Sequence, residues 1–357
     1  MLGTQIQGAD VLPIRRSFTK RLRIALTHRP LPNGEDTRPE VVDALSELGH
    51  EVTLVRGERD DWSRFDLLWI DHNPAWHPAL RRQLARLRRR GDSPFVLIWH
   101  SEPLPLPAAA PFTPERLSLR EVAKILLRDA RATDPHTNAR VLRRMHAHRL
   151  FDLLVVTTPS RQAFLAEQQI QAEMVPLGYH VSHGRDLGIA RDIDVLFLGD
   201  LKVPRRRRLL ARLESCGLRV ERAGSWFSRD SWGEARTRLL NRTRILLNLQ
   251  RFPGELAGLR MILGMANKAL VVSEPIFMAG PYVEGIHWIA SEIERMPEVV
   301  ASYLAAAERR QPIVDAAYAL ITQRMTLTRS AARVIDLAAA ANPALGHAQL
   351  AATEQRR

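Results

Sequence analysis

The sequence is short of cysteine, of long apolar runs and of several familiar signatures, and each shortage excludes a class of function. Its single cysteine, Cys216, rules out an intramolecular disulfide and leaves no cysteine cluster for zinc. No run of about 18 apolar residues is present, so no membrane span is expected. Met1 to Lys20 lacks the apolar core of a signal peptide and reads as a loose extension. The cytosol is therefore the expected compartment. No GxGxxG follows the first strand-like segment, which removes the dinucleotide fingerprint. There is no GxSxG elbow, and Cys216 follows a helical segment rather than opening one, so a nucleophilic hydrolase is a poor fit. Zinc-finger spacing, an RNP-type aromatic motif and a basic zipper are all missing.

What the sequence has is positive charge. The formal net charge is +13 over 357 residues. Nucleic acids and anionic membrane surfaces are the usual partners of such an excess. The arginines are scattered along helical segments, as in Arg81-Arg82, Arg86 and Arg88-Arg89-Arg90. That scatter favours a solvated basic face, then a peripheral contact with an anionic membrane or acceptor, and makes nucleic acid the least favoured partner.

The length exceeds one typical core and points to two domains. Strand and helix patterns alternate along both halves, which predicts parallel sheets with right-handed crossovers. In the first half, strands are expected at Leu22–Thr27, Glu51–Val55, Phe65–Ile70, Phe95–Trp99, Phe151–Thr157 and Ala172–Pro176. Helices are expected at Pro39–Leu48, Pro78–Arg90 and Pro159–Gln169, with a charged, mostly helical stretch from Leu117 to Arg149. Leu104 to Pro114, rich in Pro and Ala, reads as a loop over the site.

In the second half the expected strands are Asp194–Leu198, Arg219–Arg222, Ile245–Leu249, Ala269–Ser273 and His287–Ala290. Helices fall near Arg205–Ser215, Arg229–Asn241, Leu256–Ala266 and Met296–Arg310. The expected fold class is α/β, with two Rossmann-like domains facing across a cleft. The division places an extension at 1–20, a first domain at 21–178, a linker at 179–192 and a second domain at 193–311. A helical region at 312–341 returns toward the first domain, and a tail occupies 342–357.

One stretch organises the rest: Arg244 to Glu274, a strand–loop–helix–strand unit. Parallel sheets place ligand sites at the carboxyl ends of their strands. Polar residues gather at those ends here, with Arg251 and Glu255 after the first strand and Ser273 and Glu274 after the second. Arg260 is an isolated charge in an apolar helix. A helix amino terminus offers free N–H groups to a phosphate, and arginine adds a planar fork. Such a set suits a phosphorylated sugar. It equally describes an ordinary βαβ unit with charges at solvated edges.

Several phrases carry a resemblance. In order they are Val175-Pro176-Leu177-Gly178-Tyr179-His180, Asp194 to Asp200, Arg205 to Leu210, Leu247 to Arg251, Leu259-Arg260 and Val271 to Glu274. Together they resemble the donor-binding half of GT-B glycosyltransferases, closest to the CgeB-like group and its family-1 and family-4 relatives. The resemblance implies a glycosyltransferase that uses a nucleotide-sugar as donor substrate, with no further cofactor and no catalytic metal. It implies that Gly199 approaches the donor, and it places Glu255 at the first glutamate of a paired-glutamate motif whose second position is Leu263. Arg260 matches an arginine of the CgeB-like group, and Glu274 a polar position facing the donor.

The expected donor set is therefore Gly199, Arg205, Arg251, Glu255, Arg260, Ser273 and Glu274, with Glu284 a weaker choice. On the acceptor side, strand ends carry His28, Asp71-His72 and His100-Ser101-Glu102. A histidine of near-neutral pKa can act as a base, and a neighbouring carboxylate can orient it. The catalytic set is thus His100, then Asp71, with Glu102 beside it. Asp192-Ile193-Asp194 precedes a buried strand and is a poor metal-ligand pair. The acceptor is open: a glycan, a lipid carrier or a protein. Alternatives are a non-catalytic nucleotide-sugar-binding descendant, a nucleotide-sugar epimerase and a basic nucleic-acid-binding protein.

Overall fold

A computed structural model of the chain describes residues 20–27, 39–55, 61–113, 119–127, 134–224 and 231–346. His28, and the Pro- and Gly-rich segment after it, lie outside the described residues.

The first lobe contains β1 (Arg23–Thr27), α1 (Pro39–Glu47), β2 (Glu51–Val55), β3 (Leu67–His72), α2 (Pro78–Arg90) and β4 (Phe95–His100). It continues with α3 (Leu119–Leu126), α4 (Pro135–Ala147), β5 (Leu153–Val156), α5 (Pro159–Glu167) and β6 (Glu173–Met174). The six strands form one parallel sheet in the order β2-β1-β3-β4-β5-β6. The central strands are apolar up to their carboxyl ends, where Asp71, His72 and His100 stand, because a doubly covered parallel sheet is buried on both faces.

The second lobe contains β7 (Ile193–Leu198), α6 (Pro204–Ser215), β8 (Glu221–Ala223), α7 (Gly233–Asn241), β9 (Thr243–Asn248), α8 (Gly258–Ala266), β10 (Leu270–Ser273) and β11 (Ile289–Ala290). Its sheet is also parallel, in the order β11-β10-β9-β7-β8. The chain winds one way from β7 to β8 and the other way from β9 to β11. The reversal falls between β7 and β9, and ligands of open α/β sheets bind outside the strand ends at such a point.

The helices α9 (Met296–Ala305), α10 (Ala307–Ala319) and α11 (Leu327–Ala341) complete the fold. The sequence pattern suggests a long helical region from Pro312 to Ala341. In the structure α10 begins ahead of Pro312, passes through a π-helical turn at Leu320–Arg324, and breaks at Met325–Thr326 before α11. The Thr326 hydroxyl accepts from the Arg329 N–H and caps the new helix. The break redirects the chain onto the first lobe, where α11 packs on α1 and Thr328 Oγ1 donates to Glu47 at 2.6 Å.

The link between lobes is crossed twice at one place. Tyr179 N–H donates to the Met325 carbonyl at 2.7 Å, and Leu327 N–H donates to the Tyr179 carbonyl at 2.6 Å. Gly178 sits against this crossing: an added Cβ would stand 2.4 Å from Leu327 Cα. One apolar cluster runs through this region, joining Leu26 and Trp99 of the first lobe to Met261 of α8 and Ile335 of α11. The α2, α4 and α5 side of the first sheet has its own cluster, and the second sheet has two more.

Gly178→Ala should therefore push α11 off the first lobe. Overpacking of this kind costs about 1–3 kcal/mol, read as a lower unfolding midpoint in urea. An unchanged midpoint would show that the crossing yields freely.

Candidate active site

The site is built where the second sheet reverses. β9 ends in Asn248, buried completely, and α8 brings Arg260 beneath the ends of β7 and β9. Arg260 Nε donates to the Leu198 carbonyl at 3.1 Å, and Nη1 donates to Asn248 Oδ1 at 2.7 Å and to the Leu249 carbonyl at 3.3 Å. Its guanidinium also lies 5.7 Å from the Phe197 ring centroid. Burial, with Arg206 close by, lowers its pKa to about 9. It remains a cation at neutral pH. A Cβ at Gly199 would lie 3.1 Å from Arg260 Nη2, so glycine keeps the guanidinium edge uncovered there.

More arginines converge on this point. Arg206 Nε donates to the Leu249 carbonyl at 3.1 Å, and burial lowers its pKa to about 10. Arg251 lies over the Phe252 ring. From the first lobe, Arg161 in the first turn of α5 donates to Thr157 Oγ1 at 2.5 Å and reaches across to Glu255 Oε1 at 3.3 Å. Burial raises the Glu255 pKa, while Arg161, Arg251 and Arg206 pull it down. Glu255 is thus one carboxylate among three guanidinium groups. With Arg205 and Arg260 the cluster holds five arginines, against the carboxylates of Glu255, Glu274 and Asp200. Guanidinium groups gathered this closely in a partly dehydrated cleft repel one another, and an anion among them would relieve that repulsion.

Two helices present their amino ends beside the cluster. α6 starts after Val203 and α8 after Ala257, and neither has a side-chain cap. Their first N–H groups and positive dipole ends suit an anion.

The sequence-derived donor set divides. Gly199, Arg251, Glu255 and Arg260 come together at the cleft. Arg205 and Glu274 meet each other instead: Arg205 donates to both Glu274 oxygens, at 2.8 and 2.5 Å, and to the Gln250 carbonyl at 2.9 Å. Glu274, 7% exposed, also accepts from the Gln250 N–H at 2.9 Å. Arg205 and Glu274, expected from the sequence to hold a diphosphate and donor hydroxyls, pair with each other here and together fix the β9 loop. Ser273 is likewise interior; it accepts from Asn248 Nδ2 at 2.9 Å and donates to the Glu274 carbonyl at 2.7 Å. Its role is to orient the amide that holds Arg260. Glu284 is exposed on the loop before β11. Asp192 and Asp194 pair with Arg242 and Arg244 at the amino end of β7, on the opposite edge from the cleft.

On the first lobe, His72 and His100 are in register at the ends of β3 and β4. His100 is wholly buried, and neither ring nitrogen has a hydrogen-bond partner among the described residues. Burial, and then the charge of Arg161, lowers its pKa to about 3. Glu102, half-buried on the following loop, does not orient the His100 ring as the sequence suggested. Ser101 turns to His72 instead, with its hydroxyl 2.7 Å from His72 Nδ1. Asp71 is 3% exposed, and its carboxylate lies 3.3 Å from His72 Nε2. An Asp71–His72–Ser101 chain thus borders His100.

Sequence reasoning missed Arg161, Arg206, Asn248 and Gln250 as parts of the site. Arg161 carried the same signal as Glu255, a charge just past a buried strand. The 101–113 loop does cover the cleft, since Phe112 and Leu106 approach Gly254, where an added Cβ would lie 2.7 Å from Phe112. Gly254 has φ +77°, which favours glycine. A groove of about 1480 Å³, lined in part by Arg88, Arg89, Arg149 and Glu173, lies at the amino ends of the first sheet's strands. That edge is opposite the strand ends where parallel sheets build sites.

No protein-family model matches the chain, and no curated protein matches it. Solved structures do. Anabaena HepE in complex with UDP and glucose superposes with a TM-score of 0.56 at 10% identity, covering 90% of this chain and 100% of that one. A glycosyltransferase from Rickettsia africae gives 0.55 at 10% identity, over 90% and 98% of the two chains. TarM gives 0.54 at 10% identity, over 86% of this chain and 59% of its own. The chain has the two-lobe α/β fold of these GT-B structures.

The His100 environment sets a stability prediction. Its folded pKa lies below the unfolded value of about 6.5, so its contribution is present above pH 6.5 and is lost as pH falls from 6.5 toward about 3. In that window the unfolded chain binds a proton that the folded chain refuses, at roughly 1.4 kcal/mol per pH unit. His100→Asn should flatten the acid side of a plot of unfolding free energy against pH; an unaltered slope would show that His100 does not titrate as its burial requires.

Proposed function

We propose that this protein is a glycosyltransferase that moves a sugar from a nucleoside-diphosphate donor to an acceptor hydroxyl. The observation carrying this reading is the arginine cluster at the reversal point of the second sheet. A diphosphate there meets Arg260 Nη2, Arg206, Arg251 and the free amino ends of α6 and α8. Arg161 and Glu255 approach from the two sides of the cleft. HepE, whose fold this chain shares, has been crystallised with UDP and with UDP-glucose.

In the reaction, the bond between the anomeric carbon and the leaving phosphate oxygen breaks. A bond from the acceptor oxygen to that carbon forms, and the acceptor proton passes to a base. Charge grows on the diphosphate as it leaves, and fixed guanidinium groups stabilise that charge more than the ground state. Because these cations are already in place, we propose that transfer needs no metal ion. Glu255 accepts from hydroxyls of the transferred sugar. On the acceptor side, a pKa of about 3 makes resting His100 a weak base. A donor diphosphate offsets the Arg161 field and raises it; Asp71, through His72, supplies the neighbouring negative charge. The covering loop and the lobe closure keep water out.

Uridine diphosphate should raise the unfolding temperature of the wild type, since a ligand that binds only the folded state stabilises it, and should not do so in Arg260→Met. Turnover of UDP-glucose, as transfer or slow hydrolysis, should fall about 100- to 1000-fold in that variant. Arg88→Ala, on the opposite edge, should keep wild-type turnover, and chelator should not reduce it. Binding without turnover by the wild type would leave a nucleotide-sugar binder and refute the enzyme reading.

A further inference from the structure

One buried side chain beside the cleft is bonded at each of its polar atoms, and no step of the proposed reaction uses it. Gln250 follows β9 and is 1% exposed. Its Nε2 donates to the Glu274 carbonyl at 3.2 Å and to the Pro275 carbonyl at 2.9 Å. Its Oε1 accepts from the Gly254 N–H at 2.7 Å. Only this orientation of the amide satisfies all three groups. The opposite one would set oxygen against two carbonyls and the NH2 group against an N–H.

These bonds tie two loops together at the carboxyl edge of the second sheet. One is the segment from Gln250 to Ala257, between β9 and α8. It contains Pro253 and Gly254 and belongs to no helix or strand, so its polar groups need partners from elsewhere. The other loop follows β10. Its Phe277 N–H donates to the Gly254 carbonyl at 2.9 Å. Gly254 is thus held at its N–H by Gln250 and at its carbonyl by Phe277. The next residue is Glu255, whose carboxylate meets Arg161 of the first lobe.

The arginine end of the site is anchored differently. Arg260 rests on the carbonyls of Leu198 and Leu249 and on Asn248, and Arg206 rests on the Leu249 carbonyl. None of these bonds involves the Gln250 side chain. The tether therefore acts on the Glu255 end alone. We propose, on the donor reading given above, that Gln250 is the positioning residue for the sugar end of the site. It fixes where Glu255 stands against the transferred sugar and does not touch the sugar itself.

Gln250→Met and Gln250→Glu test this, by hydrogen exchange and by calorimetric titration with UDP and UDP-glucose. Methionine keeps the length of the side chain and drops the whole amide. Glutamate, when ionised, keeps an acceptor for the Gly254 N–H and drops both donors. Exchange of the Gly254 amide should quicken roughly tenfold in Gln250→Met, the worth of one ordinary hydrogen bond, and less in Gln250→Glu. In both variants the Kd for UDP should stay within about twofold of wild type, while UDP-glucose should bind roughly tenfold more weakly. Retained UDP binding shows that the variants fold. A residue that merely held the fold would weaken both ligands alike, so equal weakening would overturn the proposal. Unchanged exchange at Gly254 would overturn it as well. A wild type that binds neither ligand would refute the donor reading, and with it the role assigned to Gln250. That failure is told apart because exchange at Gly254 needs no ligand and would still report the tether.

Discussion

A cation placed at the seam of the second sheet constrains most of what surrounds it. Arg260 enters from an apolar helix, so its guanidinium must find acceptors in an interior that offers few. It finds two carbonyls and one amide oxygen at the ends of β7 and β9. The amide is held by Ser273, and Ser273 by the carbonyl of Glu274. Glu274 in turn is held by Arg205 and by the Gln250 N–H. Each partner is spent on the next, and the chain terminates on Arg260 Nη2, the edge that faces Gly199. Rigidity of this order is what an electrostatic site requires, since pre-aligned charge stabilises a leaving group without reorganising.

The lobes meet through equally specific contacts. Arg161 lies under the first sheet's strand ends, braced by Thr157, and its remaining edge crosses to Glu255. The same loop that carries Glu255 has Gly254 beneath Phe112 and Leu106. Contact with the covering loop and placement of Glu255 are therefore made by one short segment. A buried pair of this kind contributes little net stability but resists partial disruption, so it defines a geometry more than it holds the lobes together. The double crossing at Tyr179 and Met325–Leu327 does the holding, through backbone bonds that any sequence could make, with Gly178 leaving room for them.

Much of this was legible in the residues. Apolar runs such as Ile245 to Leu249 and Ala269 to Ser273 announce buried parallel strands, because no other element hides both faces. Arg260 was legible as a lone charge on an apolar helix. What could not be read were partners distant in sequence. Arg205 and Glu274 each look like ligand residues when taken singly; only folding brings them together across 69 residues. Arg161 and Glu255, separated by 94 residues, are the converse case. The break at Met325 was hidden because Thr326 is an ordinary helix residue by propensity and becomes a cap only when the preceding turn unwinds.

Leu263 shows how far this site departs from one built on paired carboxylates. It is 6% exposed and packs with Leu198, Leu240 and Leu246. A glutamate at that position would lose its hydration against leucine side chains, and its charge would have to be satisfied by Arg260, which is already committed to three acceptors. Burying an unpaired carboxylate is expensive enough that protonation would be the cheaper outcome. The apolar neighbours and the leucine are thus mutually consistent. In their presence the proposed donor would be held at its diphosphate end, by the guanidinium groups gathered around Arg260.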